Sequence, residues 1–99
     1  MKKFTFHVYL NDNKTKIQKM SIPEAAGIVR SIVSQYTDTC HIFECEMYNN
    51  YHDGSDFRGK ALNIELYGIS DNEALEIIGE LKKEFNQEKI LLQTQTEIG

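Results

Sequence analysis

Apolar residues recur with two different periods along this chain, and the alternation of those periods lays out its elements. From Phe4 to Leu10 every second residue is apolar, so Phe4, Phe6, Val8 and Leu10 fall on one side of a predicted strand and Thr5, His7 and Tyr9 on the other. From Ile22 to Tyr36 the spacing becomes helical, with Ala25, Ile28, Val29, Ile32, Val33 and Tyr36 forming one stripe. A period of two returns over Cys40–Tyr48 and Lys60–Tyr67. A second helical stripe follows over Asp71–Asn86 (Ala74, Ile77, Ile78, Leu81, Phe85), and a last strand over Lys89–Thr96. Each helix is announced by a Ser-x-x-Glu sequence, Ser21–Glu24 and Ser70–Glu73, in which serine and glutamate can satisfy orphan amides at a helix start. Pro23 sits in the first turn, where its missing N–H costs little. Gly79 lies inside the second helix at a cost of about 1 kcal/mol relative to alanine.

The order strand, helix, strand, strand, helix, strand is that of a ferredoxin-like βαββαβ sandwich, an α+β fold with an antiparallel sheet and both helices on one face. At 99 residues the chain makes one domain, residues 1–99. Phe43, Cys45 and Met47 of the second strand and Leu62, Ile64 and Leu66 of the third are expected to point toward the helices. His41 shares the parity of Phe43 and joins that buried set. The uncovered face then carries His7 and Tyr9, Glu44, Glu46 and Tyr48, and Asn63, Glu65 and Tyr67, with Leu91, Gln93 and Gln95 from the last strand. On this reading the face is rich in carboxylates and tyrosines and holds no Lys or Arg. Thr15–Met20 is expected to pair briefly as a lysine-rich edge strand or else to remain an extended connection, and Asn49–Gly59 to form a long connection between the second and third strands.

Composition narrows the function classes. The formal charge is −4 and the pI about 5.3, so a non-specific phosphate binder is disfavoured and direct nucleic-acid binding is set aside. No apolar run approaches the roughly 20 residues a membrane helix needs, and the start of the chain has no signal-peptide core, so a cytoplasmic protein is expected. Cys40 and Cys45 lie an odd number of positions apart on one strand and point to opposite faces, which suits reduced thiols rather than a disulfide.

No complete catalytic, metal or cofactor set is present. His7 with Glu65 supplies too few ligands for zinc. His41 and Cys45 read as packing groups rather than an activated pair, and Gly54 and Gly59 make no phosphate-binding pattern. Two surfaces remain as partner- or ligand-binding candidates: the uncovered face, and the connection with Tyr51, His52, Asp53, Asp56 and Arg58. Asp53, Ser55 and Asp56 supply oxygens for a hard cation, but the spacing is not that of a Ca²⁺-binding EF-hand loop.

The segment Phe85-Asn86-Gln87-Glu88-Lys89-Ile90-Leu91-Leu92 resembles the turn that ends the second helix in small bacterial and phage ferredoxin-like proteins. With the extended second connection, the arrangement is also similar to PII-like proteins. That resemblance implies trimers that bind nucleotide-type ligands in clefts between subunits, with Gln87 and Glu88 near such a cleft. Arg58 is the lone cation of the connection, where the family has a phosphate-contacting cluster. Phage enzymes that cleave S-adenosylmethionine share a similar trimeric architecture. The expectation is a self-associating, non-catalytic binding domain. Its alternatives are a mobile-element inhibitor of a host protein and a PII-like binder or lyase of a nucleotide-derived metabolite.

Overall fold

The computed structural model describes residues 2–12, 15, 17–50, 54 and 56–96, without the side chains of 47, 49, 50, 56–58 and 96. The elements are β1 (Lys2–Tyr9), α1 (Ile22–Val33), β2 (Cys40–Asn50), β3 (Asp56–Tyr67), α2 (Asp71–Phe85) and β4 (Leu91–Thr96). They form one antiparallel sheet in the order β2-β3-β1-β4. This is the expected ferredoxin-like arrangement, and its crossovers place both helices against the same side.

The helix starts follow from their caps. The Ser70 hydroxyl accepts from Glu73 N at 3.1 Å, and Glu73 Oε1 accepts from Ser70 N at 2.9 Å, closing the reciprocal box. At α1 the Ser21 hydroxyl accepts from Glu24 N at 3.3 Å. α2 ends on Asn86, whose left-handed backbone (φ 49°) asparagine tolerates better than most residues.

Phe4, Phe6 and Val8 of β1, Leu62, Ile64 and Leu66 of β3, and Val29, Ile77 and Leu81 of the helices form the core, all essentially without solvent contact. Full burial of each such side chain contributes roughly 1.5–3 kcal/mol, which fixes the face that β1 and β3 turn to the helices.

β2 departs from the sequence reading. Its pairs Cys40↔Leu66, Ile42↔Ile64 and Glu44↔Leu62 put Cys40, Ile42, Glu44, Glu46 and Tyr48 on the helix side, and His41, Phe43 and Cys45 on the uncovered side. The expected parity is therefore inverted. Ile42 and Cys40 pack against the core, and Phe43 is 51% exposed. The physical reason is local: both parities of β2 carry apolar residues, and only the Cys40–Ile42 end lies against the core. Register is set at that end, and a strand that is one residue out presents every side chain to the wrong side.

The second correction concerns the connection. β2 runs on to Asn50 and β3 begins at Asp56, with Met47↔Gly59, Tyr48↔Arg58, Asn49↔Phe57 and Asn50↔Asp56 paired. Much of the expected loop is thus a two-stranded ribbon. The lysine-rich edge strand is reduced to an isolated Asn11↔Gln18 bridge among the described residues. The loop is instead anchored on Asp12, only 5% exposed. Its carboxylate accepts from Asn86 Nδ2 at 2.6 Å and from Thr15 N at 3.0 Å.

Candidate functional site

The uncovered face is built by three facts of alternation. β1 is pinned by Phe4, Phe6 and Val8, so Lys3, Thr5, His7 and Tyr9 turn away from the helices. β3 is pinned by Leu62, Ile64 and Leu66, which leaves Asn63, Glu65 and Tyr67 on that side. On β4, Gln93 lies opposite Thr5 and Gln95 opposite Lys3, which brings both onto the same face.

Together these strands enclose an open concavity of about 600 Å³. β1 contributes Lys3, Thr5 and His7, and β3 contributes Asn63 and Glu65. Gln93 and Gln95 close it from β4. Lys3 Nζ donates to Glu65 Oε2 at 3.4 Å, with the two side chains only 19% and 24% exposed. Glu65 Oε1 is also 3.9 Å from His41 Nδ1, an ion pair when the imidazole is protonated. His7 Nε2 lies 3.4 Å from Gln93 Oε1 and donates to it in the tautomer that carries the proton on Nε2. The Asn63 Oδ1 atom is shielded from solvent and has no hydrogen-bond partner among the described residues.

At the β2 edge, His41 stands edge-to-face with Phe43 (centroids 6.5 Å apart) and with Tyr67 (6.4 Å). At the β4 edge, Leu91 is 54% exposed. Apolar and aromatic groups thus flank a polar centre.

His7, Tyr9, Glu65 and Tyr67 lie on the face where the sequence placed them, and Gln93 and Gln95 join them. Glu44, Glu46 and Tyr48 do not. They belong to the helix side of the β2–β3 ribbon, where Lys60 Nζ donates to Glu44 Oε1 at 2.8 Å. The hydrogen bond to Glu44, then its charge, raises the Lys60 pKa above its ordinary value. The face is therefore neither acidic nor free of cations, because Lys3 balances Glu65. That removes the acidic-groove reason for setting nucleic acid aside and leaves the chain's overall acidity.

Tyr51, His52 and Asp53 lie outside the described residues, and for Asp56 and Arg58 only the strand backbone is described. Gln87 is tied into the fold, with Nε2 donating to Asn11 O at 2.7 Å and to Phe85 O at 3.2 Å. Glu88 is exposed beside it.

Sequence reasoning missed Lys3 as a lining residue and left Thr5, which it placed on this side, out of the candidates. The alternation that begins at Phe4 extends back to Lys3, and that parity was the available signal. Among the described residues no group of three or more His, Cys, Asp or Glu side chains is gathered to hold a metal ion. No described helix is long and apolar enough to cross a membrane.

No protein-family model matches this chain, and no curated protein sequence matches it. Solved structures do. A phage SAM lyase in complex with S-methyl-5'-thioadenosine is similar with a TM-score of 0.71 at 15% identity, over 95% of this chain and 79% of that one. The periplasmic divalent cation tolerance protein CutA from Archaeoglobus fulgidus is similar with a TM-score of 0.66 at 14% identity, over 100% of this chain and 87% of that one. The de novo designed protein Foldit4 follows at a TM-score of 0.55 and 7% identity, over 98% of each chain. At such identities the likeness is one of fold, and the fold is that of small PII-like and ferredoxin-like proteins.

Proposed function

We propose that this chain is a small self-associating binding domain whose uncovered sheet face receives its ligand. The observation that carries this reading is the polar concavity itself, which gathers polar side chains from three strands. Self-association is supported by the sheet's two edges. β4 (Leu-Leu-Gln-Thr-Gln-Thr) has no charged residue to discourage pairing with another strand, and half-exposed apolar groups sit on both edge strands, Phe43 on β2 and Leu91 on β4. Copies meeting edge to edge would cover those groups and leave the polar centre as a shared interior.

Native mass spectrometry of the purified chain, followed by denaturing release of small molecules, tests both parts. An oligomer carrying a bound small molecule supports the reading. A monomer whose thermal unfolding is unmoved by a broad metabolite panel overturns it.

A second reading draws on the likeness to the phage SAM lyase solved with S-methyl-5'-thioadenosine. Here the chain binds or cleaves a nucleoside-derived metabolite. Incubation with S-adenosylmethionine and chromatography for the thioadenosine product tests it, against a protein-free control for spontaneous breakdown. Product above the control supports turnover, and a rate equal to the control removes the enzymatic form. The inhibitor reading keeps the small size and mild acidity it was based on, with Glu44 and Glu46 presented on the opposite side of the sheet from Glu65.

A further inference from the structure

We propose that the concavity recognises a neutral, polyhydroxylated ligand through a pair of adjacent hydroxyl groups. This rests on the reading of the uncovered face as a ligand surface and adds the chemistry that the surface selects. Three properties of the lining lead there.

The first is charge. Lys3 and Glu65 are the two formally charged side chains of the lining, and they face each other at 3.4 Å. An anion drawn to Lys3 meets Glu65, and a cation drawn to Glu65 meets Lys3. A neutral ligand meets no such opposition.

The second is polarity. Thr5, His7, Asn63, Gln93 and Gln95 supply the remaining side-chain groups from the sheet face. Covering an amide or hydroxyl with an apolar ligand and giving it no partner costs about 1–3 kcal/mol per group. An apolar occupant is therefore excluded, although ligand clefts of about 300–1,000 Å³ are usually lined by apolar groups.

The third is the kind of hydrogen bond on offer. Each of those five side chains can both donate and accept, in the amide, the hydroxyl or the neutral imidazole. A hydroxyl has the same double capacity at a single atom. Two neighbouring hydroxyls can thus engage both ends of one carboxamide whichever way it is turned, and Gln93 and Gln95, both exposed, present such carboxamides on the β4 side of the lining.

The shared chemistry is a ring diol, which a free sugar and the ribose of a nucleoside both carry. The test uses the full chain and saturation-transfer NMR with ribose, glucose, adenosine and a dideoxyadenosine lacking both ring hydroxyls. The variant Gln93→Ala/Gln95→Ala is measured in parallel; both side chains are exposed on an edge strand, and circular dichroism verifies its folding. The expected result is saturable binding of at least one diol, with an affinity about tenfold lower for the dideoxy compound and for the variant. Binding of ribose or glucose alone assigns the site to free sugars, and binding of adenosine without ribose assigns it to nucleosides. The inference is overturned if the dideoxy compound binds as well as adenosine, if the folded variant binds unchanged, or if no diol saturates below about 10 mM. An anionic or apolar molecule found in the concavity also overturns it, while leaving the ligand-surface reading standing.

Discussion

Asp12 holds together parts of the chain that are far apart in sequence. Its Oδ1 accepts from Asn86 at the end of α2, and its Oδ2 accepts from the backbone and hydroxyl of Thr15. Replacing it with alanine leaves those donors without their charged acceptor, and Asp12→Ala is expected to lose about 2–3 kcal/mol in denaturant unfolding. As sequence, Asn11-Asp12-Asn13-Lys14 reads as a plain polar turn, because the partner that buries Asp12 lies 74 positions away. Gly79 is the opposite case. A methyl group there meets nothing within 4 Å, and the position is helical. Gly79→Ala should therefore gain about 0.5–1 kcal/mol by the same measurement. The Tyr36 hydroxyl is raised above its ordinary 10.0, first by burial and then by the charges of Glu80 and Glu76. Lys60 is raised above 10.5 by Glu44. For both groups the unfolded chain releases its proton at lower pH than the folded one, so their contribution is complete at neutral pH and declines above about pH 10. Thermal midpoints are expected to be level near neutrality and to fall on the alkaline side, less steeply in Tyr36→Phe.

At the scale of elements, the helices were the most legible part because stripe, cap and length agree for each. β1 and β3 were equally clear, since each buries a continuous apolar row. β2 was ambiguous for a physical reason. Its apolar residues are divided between two parities, and the stretch with Phe43 and Cys45 runs beyond the part that packs against the core. Counting apolar side chains there counts an exposed ribbon as if it were buried. The same error moved Glu44, Glu46 and Tyr48 to the wrong side, while His7, Tyr9, Glu65 and Tyr67 were legible from the strands whose parity is fixed by burial. Edge strands carry the assembly prediction. Phe43→Lys/Leu91→Lys places a charge at both lateral edges without touching the core, and light scattering should then report a lower solution mass than for the parent chain. An unchanged mass would mean that copies associate elsewhere or not at all.

For the whole molecule, the net charge of −4 is unevenly shared. The helices and the ribbon carry most of the described acids, and the uncovered face balances one carboxylate with one lysine. The chain's overall acidity, read from composition, therefore says little about the surface where a ligand would sit. Composition could not reveal this because it records amounts and not sides.

The two thiols lie on opposite sides of β2, and the inverted parity decides which, an arrangement with a practical use: Cys40 is against the core on the helix side and Cys45 half-buried on the other, its Sγ 3.5 Å from Ala61 O. Whatever settles over the bare side of the sheet will slow alkylation of one cysteine and leave the other as an internal standard. The chain thus carries its own two-channel footprint of occupancy, readable by mass spectrometry without an added label.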